Sequence, residues 1–130
     1  GSISLASGVS VQGEAKTRNG QILMDQAMVK ENISSRSGDL LIRNGSRVDG
    51  DVVIDISEQS GEQRWFGFGG NRYPDAGSIE ILGGSVVGGN IIIRLPENYD
   101  REIPTVTIDS GSQVNGEIMV DDRVEVIRVN

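Results

Sequence analysis

The chain offers carboxylates as its main chemistry-bearing groups and lacks the side chains on which many catalytic and metal sites depend. Its 130 residues include no histidine and no cysteine. Ser-His-Asp triads, histidine-ligated metals, thiolate zinc sites and cysteine nucleophiles therefore cannot be built from this chain alone. A lyase, hydrolase or calcium site would instead need several carboxylates that converge in one groove.

Acidic residues are scattered rather than gathered. Asp49, Asp51 and Asp55 alternate along one short stretch. The equivalents of these three positions in the next sequence repeat are not acidic, being Gly88, Asn90 and Arg94. We interpret the three aspartates as a solvated face, and we predict no catalytic residue, no metal site, no cofactor and no enzymatic activity.

Aromatic side chains are the other residues that could form a site. All five lie in two segments, roughly 57–76 and 95–104, with arginines among them. They could pack as a small satellite core, or part of the group could stay exposed as a binding or self-association surface, since long loops on regular scaffolds often carry function. The candidate interaction surface comprises Arg64, Trp65, Phe66, Phe68, Arg72, Tyr73 and Tyr99.

A repeat supplies the elements that must position these segments. The stretch 38–54 recurs at 77–93 and 105–120, with the Gly-Ser pair, the following valine and the next glycine in register. Weaker copies bring the total to six. The first apolar position of the copies falls at Ile3, Ile22, Leu40, Ile79, Val106 and Val124. The basic period is thus 18 to 19 residues, and the segments 57–76 and 95–104 are insertions into it.

Within each copy, apolar residues alternate with polar or small ones over two short runs, which is the period of a half-buried strand. The connections are too short for crossover helices. A β-sandwich would also show short alternating strands, but it would not repeat the same corner residues at this period. We therefore predict an all-β, single-stranded parallel β-helix (β-solenoid) of about six rungs, forming one domain over 1–130.

Stacking of the copies predicts which side chains point inward. The predicted core includes Ile42, Val48, Val52, Ile81, Val87, Ile91, Ile108, Val114 and Ile118. Glycines at Gly8, Gly45, Gly84 and Gly111 should occupy one corner, where positive φ or close stacking is easiest without a side chain. Two outward apolar columns are expected: Leu23 with Leu41, and Val53 with Ile92 and Met119. Both insertions should emerge from the same corner and touch each other.

The net charge of the chain limits the kinds of partner that it can bind. A formal net charge of −7 argues against nucleic acid, because phosphate binding needs a concentrated basic surface. No stretch approaches the length of a transmembrane segment. Since the chain starts within the repeat motif, we expect it to be part of a longer array.

The repeat resembles that of the bactofilins, polymer-forming bacterial cytoskeletal proteins of right-handed β-helix fold. It is still more similar to uncharacterised bacterial β-solenoid proteins whose turns carry Thr-x-Asn-Gly before each first strand. Thr17-Arg18-Asn19-Gly20 keeps that motif, and Ser35-Arg36-Ser37-Gly38 is a degenerate copy. The first resemblance implies a right-handed coil and self-association, and the second implies an exported, envelope-associated protein without known enzymatic activity.

These observations favour a non-enzymatic structural or interaction module that associates with itself, with another envelope protein or with a glycan. The expected location is the bacterial periplasm or cell envelope, with the cytoplasm as the alternative. A carbohydrate-binding or carbohydrate-processing parallel β-helix is the alternative function. Trp65, Tyr73 and Tyr99 on one open groove with two carboxylates would favour that alternative.

Overall fold

A computed structural model describes residues 2–56 and 75–129, and these residues form sixteen short strands. In chain order the strands are β1 (Ile3–Leu5), β2 (Ser10–Val11), β3 (Ala15–Asn19), β4 (Ile22–Asp25), β5 (Met28–Val29), β6 (Ile33–Ser37), β7 (Leu40–Arg43), β8 (Arg47–Val48), β9 (Val52–Asp55), β10 (Ile79–Ile81), β11 (Val86–Val87), β12 (Ile91–Arg94), β13 (Thr105–Asp109), β14 (Gln113–Val114), β15 (Ile118–Val120) and β16 (Glu125–Val129). Across the described residues, no helix has the length and apolar character needed to cross a membrane.

The strands form three parallel sheets that run along the coil. Sheet A has the order β1-β4-β7-β10-β13-β16, sheet B runs β2-β5-β8-β11-β14, and sheet C runs β3-β6-β9-β12-β15. Each strand therefore pairs with the strand three positions earlier in the chain, so each turn of the chain stacks on the turn before. Ile42, Ile81 and Ile108 occupy the same register position on adjacent strands. The predicted parallel β-solenoid of about six rungs is confirmed.

Each turn contains three strands, whereas the sequence predicted two runs. The second run is divided by a corner at residues 49–51, between β8 and β9. A two-residue strand such as Arg47–Val48 contains too little alternation to be separated from its neighbour by pattern alone.

The sixth copy is shifted by two residues from its predicted start. Val126, not Val124, pairs with Val106. The amide of Val124 instead donates to the carbonyl oxygen of Asp121 at 2.9 Å and closes a turn before β16. A shift of two residues preserves strand alternation, so the pattern could not distinguish the two valines.

The predicted inward side chains form one core. Seven of the nine are fully or almost fully buried, namely Ile42, Val48, Val52, Ile81, Val87, Ile91 and Ile108. The other two, Val114 and Ile118, are half-buried because they belong to the last complete rung and pack against the core from one side only. The outward columns are also confirmed, since Leu23 pairs with Leu41, and Ile92 pairs with both Val53 and Met119.

A buried serine ladder connects successive turns at the corner between sheets A and B. The Ser85 hydroxyl accepts the amide of Ser46 at 3.1 Å and donates to the carbonyl oxygen of Leu82 at 2.7 Å. Ser46 repeats both contacts with Ala27 and Arg43. The ladder satisfies backbone groups that the turn would otherwise bury without partners.

Glycines at 8, 45, 84 and 111 were predicted to occupy this corner. Gly8, Gly45 and Gly84 do adopt positive φ, between 75° and 86°. Gly111 does not, whereas Gln26 and Asn44, which are not glycines, each adopt a φ of 58° at this corner. The corner conformation is therefore a property of the stack, and a non-glycine residue accepts it there at a cost in backbone energy.

A second ladder lies at the corner between sheets B and C. The side-chain Oδ1 atoms of Asn32, Asp51 and Asn90 each accept the backbone amide of the equivalent position one turn further on, at 2.7–2.8 Å. Asp51 is thus a structural acceptor as well as a half-buried residue of the predicted face. Its neighbours Asp49 and Asp55 pair with Arg47 and Arg94 at 2.6 and 3.3 Å.

The Thr-x-Asn-Gly motif closes the corner between sheets C and A. The Thr17 hydroxyl is buried and donates to the carbonyl oxygen of Gly20 at 2.9 Å. In the degenerate copy, Ser35 donates to the carbonyl oxygen of Ser37 at 2.8 Å. Hydroxyls therefore occupy, on the first two turns, the inward position that Ile54 takes on the third.

Candidate functional site

The described ends of both insertions lie at the corner between sheets C and A. The first follows β9 and the second follows β12, and these two strands are adjacent in sheet C. The chain resumes at β10 and β13, which are adjacent in sheet A. The array therefore brings the ends of two segments that are distant in sequence to one corner, as the repeat predicts.

Tyr99 joins the two segments. Its hydroxyl accepts the backbone amide of Ala76 at 3.0 Å and donates to the carbonyl oxygen of Glu102 at 2.7 Å. The side chain is 6% exposed and belongs to the same core cluster as the strand residues. Burial raises the pKa of the Tyr99 phenol, because desolvation disfavours its anion. The predicted contact between the insertions is thus present at Ala76 and Tyr99.

Of the seven residues of the predicted interaction surface, the structure describes Tyr99. Its burial agrees with the packing interpretation for that ring. The other six, Arg64, Trp65, Phe66, Phe68, Arg72 and Tyr73, lie outside the described residues.

The outward apolar column of sheet C consists of Val53, Ile92 and Met119, and its first two residues lie on the strands that precede the insertions. Ile92, in the middle of the column, is only 8% exposed although it points away from the core. Met119, one turn further along, is 43% exposed. The column thus combines a buried side chain at Ile92 with an exposed one at Met119 on the next turn.

A cleft of about 380 Å³ opens at the corner where the insertions return to sheet A. Its floor follows the position just before the first apolar residue of four successive turns, where Gln21, Asp39, Ser78 and Thr105 stack. Its walls come from the ends of the two insertions, with Asp75 and Ala76 from the first and Glu102, Ile103 and Pro104 from the second, and Gly77 follows the first.

Hydrogen bonds between turns fix the floor of the cleft. Asp39 Oδ1 accepts the amide of Ser78 at 2.9 Å, and the Ser78 hydroxyl accepts the amide of Thr105 at 3.2 Å. Gly77 lies so close to the backbone of Gly38 that a Cβ atom would collide with it. The floor of the cleft is therefore fixed by the stack of turns.

The cleft is negatively charged and rich in hydrogen-bond acceptors. Asp39, Asp75 and Glu102 contribute carboxylates, and the lining residues that the structure describes include no lysine or arginine. Ile103 and Pro104 add an apolar surface beside these groups. Such a lining suits a neutral ligand that carries hydroxyl groups next to an apolar face. In residues 2–56 and 75–129, no group of three or more acidic side chains is placed to hold a metal ion.

Sequence reasoning missed the lining residues of the cleft. The stacking of Gln21, Asp39, Ser78 and Thr105 was available from the repeat, because each directly precedes the first apolar residue of its copy. The approach of Asp75 and Glu102 to this column was not available, since it depends on how two unrelated insertions end at the same corner.

Comparisons with protein families, with curated proteins and with solved structures give no match to this chain.

Proposed function

We propose that the chain is a non-enzymatic β-solenoid scaffold that presents an interaction surface at the corner of the two insertions. The supporting observation is the Tyr99 link, which ties the ends of two insertions to each other on a frame braced by side-chain ladders. A frame of this kind holds a surface at low conformational cost, and such preorganisation favours binding.

Self-association through strand edges is the second part of the proposal. The first and last turns carry apolar side chains that pack against the core from one side only: Ile3, Leu5, Val11, Val114, Ile118 and Val120. On β16, Val126 and Val129 are 37% and 45% exposed. Exposed edges with apolar side chains are templates for pairing with another chain. The resemblance of the repeat to polymer-forming proteins agrees with this proposal.

Light scattering over a wide concentration series tests the association. We expect the mass to rise above the 13.9 kDa of one chain as concentration increases. Val126→Lys with Val129→Lys should weaken association by charging the edge, while the control Thr107→Lys, on the outward side of β13, should not. A single-chain mass at every concentration would remove self-association and leave the interaction module.

We place this scaffold in the bacterial cell envelope, or in a cytoskeleton-like assembly, on the basis of its resemblance to repeats found there. Fractionation of cells that express the full natural protein tests the location. Recovery only in the soluble cytoplasmic fraction would contradict an envelope role.

A carbohydrate-binding function is the alternative, and the cleft is the observation that favours it. Its carboxylates, the Ser78 and Thr105 hydroxyls and the Gln21 amide can bond to sugar hydroxyls, and Ile103 and Pro104 offer an apolar face. Calorimetry with a panel of neutral oligosaccharides tests this function. Asp75→Asn with Glu102→Gln should weaken binding, while Asp122→Asn with Glu125→Gln, a matched change away from the cleft, should not. Equal affinities for both double variants would exclude the cleft.

A further inference from the structure

Arg36 carries two buried nitrogen atoms that lack a hydrogen-bond partner. These atoms are Nε and Nη2 of the guanidinium group. Within the described part of the chain, the other buried side-chain atom of this kind is Asp109 Oδ1. A carboxylate oxygen has further lone-pair positions, whereas each N–H group of a guanidinium directs its hydrogen at one place and is costly to leave unpaired.

The two atoms form one edge of the guanidinium plane. Nε and Nη2 point their hydrogens in nearly parallel directions, which is the arrangement that binds both oxygens of a carboxylate, phosphate or sulfate group. An arginine that only fills space on a sheet would keep this edge in water. The unpaired edge of Arg36 therefore has the donor geometry that fits an oxyanion.

Neighbouring side chains do not supply the acceptor. Arg36 lies on the outward side of β6, between Arg18 on β3 and Asp55 on β9. The carboxylate of Asp55 accepts the Nη1 group of Arg94, one turn further on, at 3.3 Å. Arg18 adds a like charge on the other side of Arg36.

This part of sheet C is basic in a protein of net charge −7. Lys16 and Arg18 both point outward from β3, and both are exposed. Together with Arg36, they place three positive charges on the first two strands of the sheet. Such local concentration of charge attracts anions in spite of the overall negative charge.

We propose that Arg36, Arg18 and Lys16 form a binding site for an oxyanion group on the outward face of sheet C. The Arg36 edge binds two oxygens of the anion, while Arg18 and Lys16 supply charge at its margin. Arg36 as a whole is partly exposed, and binding requires a rotation about its side-chain torsions that brings the edge to the surface. Since Nε and Nη2 have no partner to lose, this rotation breaks no hydrogen bond made by either atom.

The ligand class is a sulfate, phosphate or carboxylate group, whether free or attached to a larger molecule. The shared feature is a pair of oxygens about as far apart as the two N–H groups. The site is independent of the proposed scaffold function, because that function does not depend on charge at this face. Failure of the anion test would therefore leave the scaffold proposal standing.

Thermal unfolding in sulfate, phosphate and acetate tests the site, with chloride keeping the ionic strength constant. We expect the melting temperature to rise in a saturable way with at least one of the three anions, since a ligand that binds only the folded state stabilises it. Arg36→Gln should abolish the rise. The control Arg43→Gln removes an exposed arginine from the outward side of β7 and should keep the rise.

The Arg36→Lys variant separates the contribution of positive charge to anion binding from that of the two parallel N–H donors. It keeps the positive charge but loses the parallel pair of donors, so we expect binding at least about tenfold weaker than in the wild type. The proposal is overturned if no anion gives a saturable rise, or if Arg36→Gln and the wild type respond equally. If Arg36→Gln does not fold, a full response in Arg36→Lys would overturn the two-oxygen geometry.

Discussion

The carboxylate of Asp51 lies in the space that a side chain at Gly89 would occupy. Its Oδ1 atom accepts the amide of Asn90 at 2.8 Å, and a Cβ atom on Gly89 would collide with this oxygen and with the carbonyl oxygen of Gly50. The ladder at this corner therefore depends on the glycines beside it, since each side chain of the ladder reaches the next turn only by passing a residue that has no Cβ atom.

Gly89→Ala should destabilise the array by about 1–3 kcal/mol, the usual cost of forcing extra volume into packed structure. Gly13→Ala is the matched control, because it lies at the equivalent position of the first turn, where nothing approaches within 4 Å. Urea unfolding of both variants measures the difference. Equal stability losses would show that the collision is relieved without cost.

Ser85→Ala should cost about 1–3 kcal/mol, because it leaves the buried amide of Ser46 and the carbonyl oxygen of Leu82 without a partner. Ser4→Ala, on an exposed outward position of β1, should change stability little. Denaturant midpoints of the two variants check the prediction, and a Ser85→Ala midpoint at the wild-type value would contradict it.

Val87→Asp should unfold the chain, because Val87 is fully buried and the stack offers no partner for a carboxylate there. Burial of an unpaired charge costs more than about 4 kcal/mol, a large part of the stability of a small domain. Val86→Asp changes the adjacent outward residue and should keep the fold. Circular dichroism melts compare the two, and a Val87→Asp transition near the wild-type temperature would reverse the inward assignment.

Tyr99→Phe should lower stability by about 1–3 kcal/mol, since the Ala76 amide and the Glu102 carbonyl oxygen lose their partner. The variant should also alter the pH dependence. The folded-state pKa of Tyr99 lies above its ordinary value of 10.0, so the unfolded chain releases this proton first as pH rises. The stability that Tyr99 contributes is therefore complete below pH 10.0, the ordinary pKa of the phenol, and it is lost as pH rises from there towards the folded-state pKa.

Urea titrations from about pH 8 to about pH 11 measure this effect. The wild type should lose more stability across this range than Tyr99→Phe, in which the titrating group is absent. Parallel curves for the two proteins would show that Tyr99 titrates as it does in the unfolded chain.

The amino-acid sequence by itself determined the stacking of the array. The period of the copies places Ile42, Ile81 and Ile108 in line, and strand alternation separates inward Val52 from outward Val53. These properties follow from local residue spacing, because in a solenoid every turn packs on a near copy of itself.

Only the tertiary structure decided the details that depend on distant parts of the chain. The positive φ of Gln26 and the acceptor role of Asp51 arise from the neighbouring turns, and neither property can be predicted from the residue type alone. The cleft beside Asp75 and Glu102 depends on where two unrelated segments end, and the unpaired edge of Arg36 depends on the burial of single side-chain atoms. No repeat encodes these two features, because insertions and surface side chains are not constrained by the stacking that fixes the core.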